Sequence, residues 1–246
     1  MKSNVFNIRS FMPLFAALIA VALGGCATTP EKSGDAKTAS GQSWKAKADD
    51  GRNVEIGRSS PAPNGGINYK EPHMEKCWVA DGFDFNGYDT LYIAPTLSTA
   101  KFNTQNQEEV KVHDLAKESL VRELSSMLVS RKIFANVVTR ESDIKPGAKA
   151  LKLENTITEF TKGGGAARYF VGLYGGGQPV LRVQGKMNEG EKPLFTFEAR
   201  RSGVSAGARM TGVFMKDEDI QIQDIRSMVL DLADFMSVIA GKFPRR

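Results

Sequence analysis

Four groups of residues carry types and spacings that could do chemistry. The first is Cys26, preceded by Leu23-Gly24-Gly25. An aliphatic residue, two small residues and a cysteine match the box at which a bacterial signal peptide is cut between Gly25 and Cys26 and the thiol is acylated with palmitate-type chains. The second is Gly203-Val-Ser205-Ala-Gly207, which has the letters of a nucleophile elbow. That motif needs a helix after the serine and a histidine later in the chain, and no histidine follows His113. The third comprises His73, Cys77 and His113, and two histidines cannot build a multi-histidine metal centre. The fourth is the glycine-rich run Gly163 to Gly177. It lacks the Lys-Ser/Thr of a phosphate-binding loop and a G-x-G-x-x-G register.

Each group has a plain structural alternative. His73 and Cys77 lie four apart but follow Pro72, which argues against the helix they need to converge, and both histidines read as surface residues. Cys77 has no thiol partner once Cys26 is acylated, and its place beside Trp78 and Val79 favours burial. Asp217 and Asp219 could serve acid-base chemistry, but they also stand where acids complement a helix N-terminus. No enzyme constellation emerges, and no cofactor or metal is implied. In the glycine run, the glycines allow a tightly turned hairpin. Its working surface, if exposed, would comprise Arg168, Tyr169, Phe170, Gly172, Tyr174, Gly175 and Gly176 in contact with lipid, glycan or a protein partner.

Residues 1–25 read as a signal peptide. Lys2 and Arg9 form its basic start, and Phe11 to Leu23 form an apolar stretch too short to span a bilayer as a helix. Ala27, rather than aspartate, follows the modified cysteine and favours the outer membrane, with the folded domain in the periplasm. From 26 to 74 the chain is rich in Gly, Ser, Lys, Asp and Pro, with only scattered Trp44, Val54, Ile56, Ile67 and Tyr69, and reads as a flexible lipid-anchored tether. Loss of the signal lowers the formal charge from +5 to +3. That is mildly basic, and export argues against nucleic acid as a partner.

Residues 75–246 are long enough for a single domain with one core. Thr90–Ala94 is a short β-favouring run, and Glu108–Arg131 places Val112, Ala116, Leu120, Leu124 and Leu128 at helical spacing. Phe134–Thr139 is a further strand candidate. Leu151–Ile157, Leu181–Met187 and Phe195–Ala199 alternate with a period of two, and Asn188–Pro193 between the last two reads as a hairpin loop. Ile222, Ile225, Val229, Leu232, Met236 and Ile239 mark a C-terminal helix that ends at Gly241. This order predicts an α+β fold with a mixed or antiparallel sheet and two long helices packed mainly on one face.

Phe83-Asp-Phe85, Tyr88-Asp-Thr90-Leu-Tyr-Ile-Ala-Pro95 and the run from Gly163 through Arg168-Tyr-Phe-Val-Gly172 to Gly177 resemble the DUF4410 family of bacterial lipoproteins. Where that family has a lysine or similar residue soon after the last glycine, this chain has Gln178-Pro179. The resemblance implies an envelope lipoprotein with no established biochemical activity. The combined expectation is a non-enzymatic interaction or structural module held at the membrane by its lipid, with an envelope protein as partner. The alternative is a ligand-binding or transport accessory with an apolar cavity between helices and sheet.

Overall fold

The two-residue alternation of the C-terminal half becomes three long strands that organise everything else. The computed structural model describes residues 44–47, 53–57, 59–167, 177–203 and 215–242, all within one compact unit. In chain order the strands are β1 (Trp44–Lys47), β2 (Asn53–Ile56), β3 (Ser59–Pro61), β4 (Ile67–Tyr69), β5 (Lys76–Val79), β6 (Thr90–Ile93) and β7 (Leu97–Ser98). Helix α1 (Gln107–Ser130) follows, then β8 (Asn136–Val138), β9 (Ala150–Thr161), β10 (Val180–Glu189), β11 (Lys192–Ser202) and helix α2 (Asp217–Ile239). β1 and β2 form a separate antiparallel pair, and the other nine strands form one sheet in the order β3-β4-β5-β11-β10-β9-β6-β8, with β7 also on β9.

Pairing is antiparallel from β3 to β9 and parallel where β6 meets β9 and β8. The chain between β6 and β8 includes α1, the crossover that parallel neighbours require. β10 and β11 are joined through Gly190, whose φ of 57° supplies the left-handed residue that a tight hairpin needs. The sheet is therefore mixed and the fold is α+β.

Both helices pack on one face of the sheet and on each other. Leu120, Leu124 and Leu128 of α1 and Ile225, Val229, Leu232 and Phe235 of α2 are buried with Leu151, Leu153, Ile157, Leu181, Val183, Met187 and Phe195 from the strands. Phe195 sits at the centre, with ring centroids 5.9 Å from those of Phe85, Phe197 and Phe235. The helix ends are closed by short-range bonds. Asn106 accepts from the Glu108 and Glu109 amides at the start of α1. Lys242, just beyond α2, donates to the Lys132 and Ile133 carbonyls that follow α1. Arg131 also reaches Asp234 across the helix pair at 2.6 Å. The acids Asp217, Glu218 and Asp219 occupy the first turn of α2, and Gly241 follows its cap with φ of 64°.

The folded region starts earlier than residue 75. β3 and β4 extend the sheet, and Ile56, Tyr69 and Met74 belong to the core, Tyr69 lying 5.4 Å from the Phe235 ring centroid. Isolated apolar residues in a polar stretch carry no periodic signal, yet Ile56, Tyr69 and Met74 are buried and Tyr69 packs against Phe235 of α2. The tether reading is corrected accordingly: strands at 44–47, 53–56, 59–61 and 67–69 interrupt residues 26–74.

Candidate functional site

Because α1 and α2 cover one face of the sheet, the side chains that alternate to the other face stand open. Strand register lines them up in rows. One row runs Asn68, Trp78, Thr196, Lys186, Glu154, and the next runs Lys76, Glu198, Gln184, Thr156, Leu97. Two grooves of about 560 and 440 Å³ lie over these rows and share Lys76, Lys186 and Thr196. They make one trough across the strands, with Trp78 near one end and Leu97, 64% exposed, at the other. The Trp78 indole is held in place by donating to the Gly65 carbonyl at 2.8 Å.

Most charges on this face are paired. Lys76 meets Glu198 at 2.7 Å, Lys152 meets Glu154 at 2.7 Å, and Glu159 accepts from Arg200 at 3.0 and 3.1 Å and faces Arg182 at 3.3 Å. The partner cations hold the carboxyls of Glu198, Glu154 and Glu159 below their ordinary range, in each case first through a hydrogen bond. Lys186 differs. Among the described residues no carboxylate lies within 4 Å of its ammonium, because its cross-strand neighbour Glu154 is already taken by Lys152 and Asn188.

A second polar group lies between the sheet edge and α2. Arg201, almost fully buried, donates to the His73 carbonyl at 2.6 Å and to Asp231 at 2.7 Å, tying the chain before β5 to α2. Glu71 accepts from the His73 amide, and burial pushes its carboxyl up. One turn before Asp231 on α2, half-buried Ser227 helps line an open cleft of about 580 Å³ with His73, Arg200 and Arg201. Deeper in, Asp224 is 0% exposed and neither carboxylate oxygen has a hydrogen-bond partner. Burial raises it to about 7, with Arg201 pulling the other way.

His113 is not the surface residue that its polarity suggests. It is 4% exposed, stacked on Phe102 at 4.2 Å and edge-on to Phe160 at 5.0 Å, with Nε2 2.9 Å from Ser98 Oγ. Burial lowers its pKa, Asp114 opposes this and Lys117 adds to it. The native state therefore binds fewer protons than the unfolded chain as pH falls below about 6.5, so this contribution to stability is complete above that value and declines below it. We expect the His113 ring to titrate below 6.5 by NMR and Phe102→Ala, which opens the ring to water, to move the midpoint back up. A midpoint at or above 6.5 in the native protein would contradict the burial.

The remaining sequence candidates divide cleanly. Gly25, Cys26, Arg168, Tyr169, Phe170, Gly172, Tyr174, Gly175, Gly176 and Ser205 lie outside the described residues. The flanks of the glycine run are tied together, Gly164 N donating to Gly177 O at 2.9 Å between antiparallel β9 and β10. Cys77 faces the core, 3% exposed, and burial followed by the Glu71 charge raises its thiol well above the ordinary range, which suits an inert thiol and not a nucleophile. Among the described residues no cluster of three His, Cys, Asp or Glu side chains could hold a metal, and no helix is long and apolar enough to cross a membrane. The space between helices and sheet is occupied by the leucine and phenylalanine core described above.

No protein-family model matches the sequence, and no curated protein matches it. The likeness to the DUF4410 lipoproteins thus stands on the residue runs quoted for it. Among solved structures the chain is similar to a PelC dodecamer from Paraburkholderia phytofirmans, at 13% identity and a TM-score of 0.40, over 63% of this chain and 96% of that one. A variant of that PelC dodecamer in a second crystal form matches at 12% identity and a TM-score of 0.39, over 63% of this chain and 97% of that one. Likenesses of this size carry no argument about what this chain does.

Proposed function

We propose that the protein is an envelope lipoprotein, anchored in the outer membrane through acylated Cys26, whose α+β domain is a non-enzymatic interaction module. The observation that supports it most is the uncovered polar face of the sheet, where a trough with Trp78, Lys186 and exposed Leu97 lies opposite a face fully engaged by the helices. An aromatic body, an aliphatic side chain and a cation outside any direct ion pair are the ingredients of a contact surface. The motif at Leu23–Cys26 supplies the anchor, since two or three acyl chains at about 0.8 kcal/mol per buried methylene hold a protein at a bilayer.

Feeding cells an alkyne analogue of palmitate tests the anchor. The expected result is label on the wild-type chain, none on Cys26→Ser, and a shift of that variant out of the membrane fraction. Equal labelling of both forms, or an unlabelled wild type, would remove the anchor from this reading.

A further inference from the structure

The trough has a shape and charge that specify what it can hold. By register, Trp78 and Lys186 are separated by the single strand β11, and Lys186 and Leu97 by the single strand β9 with a two-residue offset along it. With strands about 4.8 Å apart, the three side chains are rooted about 10 and 12 Å apart, Leu97 being displaced about 7 Å along the strands from the Trp78–Lys186 line. A β-strand ligand fits this poorly, because its same-face residues recur at about 6.7 Å and residues three apart face opposite ways. A polyproline II segment comes nearer, with same-face residues every third position about 9.3 Å apart, which matches the first interval and leaves about 3 Å of the second to the reach of the Lys186 and Leu97 side chains. Its backbone needs no ladder of hydrogen bonds, and the strands beneath the trough have theirs filled by one another.

The chemistry at the three points follows. Trp78, pinned by Gly65, offers a ring against which a proline or aliphatic residue can lie. Leu97 offers an aliphatic contact at the far end. Lys186 makes no direct ion pair among the described residues and meets Glu154 only through space, so its ammonium is open to an incoming carboxylate, whereas Lys76, Lys152, Arg182 and Arg200 are already in direct pairs. We infer that the open sheet face docks a proline-rich segment of a partner protein, in polyproline II form, with a carboxylate at its centre and apolar residues three positions to either side. This rests on the interaction-module reading and names its partner's chemistry.

The test uses the full mature chain in detergent and a fluorescent peptide, Leu-Pro-Pro-Glu-Pro-Pro-Leu, beside a control with lysine at the centre. Anisotropy should report saturable binding of the glutamate peptide, at least tenfold tighter than the lysine peptide. Lys186→Glu should invert that preference, and Leu97→Asp should weaken both peptides. Both residues are exposed, so unchanged circular dichroism is expected of the variants. Equal affinity for the two peptides, a preference that survives Lys186→Glu, no saturation, or a dimer in sedimentation that occludes Leu97 would each overturn the inference. The assay does not depend on the lipid. Failure here alongside Cys26 labelling would remove only this partner chemistry, and failure of labelling would leave the peptide result standing.

Discussion

Asp224→Asn is expected to make the domain more stable than wild type at pH 8, by an amount that shrinks as pH is lowered towards 4. Asp224 is fully buried on α2, both its oxygens lack partners, and the neighbouring Gln221 amide is likewise unpartnered. The fold therefore favours the protonated acid, and burial raises the group from 3.8 to about 7 against the pull of Arg201. The sign follows from proton counting. Between pH 4 and 7 the native state keeps a proton that the unfolded chain has lost, so this group's stabilisation is complete below about 4 and disappears as pH rises to about 7. Three pH units of differential binding correspond to a wild-type loss on the order of 4 kcal/mol over that window, which the asparagine variant does not share. Other carboxyls, such as Glu198 beside Lys76, act in the opposite direction below pH 4.5, but they are common to both proteins and cancel in the difference. Urea titrations of both proteins from pH 4 to 8 measure it, and parallel curves would refute the assignment.

Gly185→Ala is the second large effect. Gly185 lies in the middle of β10 on the core side, paired with Phe197 of β11, and an added Cβ would fall inside the Phe197 ring. The ring cannot retreat freely, since it is buried and stacked beside Phe195, which in turn packs on Phe235 of α2. Either the ring leaves its rotamer or β10 shifts away from β11, at a cost of about 2–3 kcal/mol. Phe197→Leu in the same chain removes the obstructing ring, so the double variant should recover at least about 1 kcal/mol relative to the sum of the two single changes. Thermal or urea unfolding of the four proteins closes the cycle. An unchanged midpoint for Gly185→Ala, or strict additivity, would mean that the ring does not cover the glycine.

Gly185 also shows how far the sequence could be read. The alternation in Leu181–Met187 marks it as a core-facing position of a strand, but only the register with β11 explains why no side chain fits there. α1, β9, β10, β11 and α2 are visible as periodic apolar patterns, because each buries a long face in one core, and β6 is visible as a β-favouring run buried throughout. β3, β4 and β5 are not, because strands of three or four residues such as Ser59–Pro61 and Ile67–Tyr69 are too short to show a period. Their burial is decided by distant partners, as with Tyr69 against Phe235.

The polar sites were legible in part. Asp224 follows Gln221 by three residues and precedes Met228 by four, so the spacing itself places it on a buried face, yet the seam drawn through Ile222 passes it by, and Ile222 is only half-buried. His113 precedes Ala116 by three residues and Leu120 by seven, a spacing that puts all three on the covered face of α1, although an ionisable side chain there reads as exposed. The rows of the open face could not be read at all. Trp78, Lys186 and Leu97 come from three separate strands, and nothing short of strand order brings them together.

Photo-crosslinking in intact cells tests the central claim most directly. A photo-reactive residue at Gln184, in the middle of the open face, is compared with one at half-buried Lys117 of α1, in the helix layer on the other face of the sheet. If the domain works as a membrane-held interaction module through its uncovered sheet, Gln184 should yield one discrete envelope-protein adduct that disappears with Lys186→Glu, and Lys117 should yield none. The same adducts from both positions, or a discrete adduct from Lys117 alone, would contradict it.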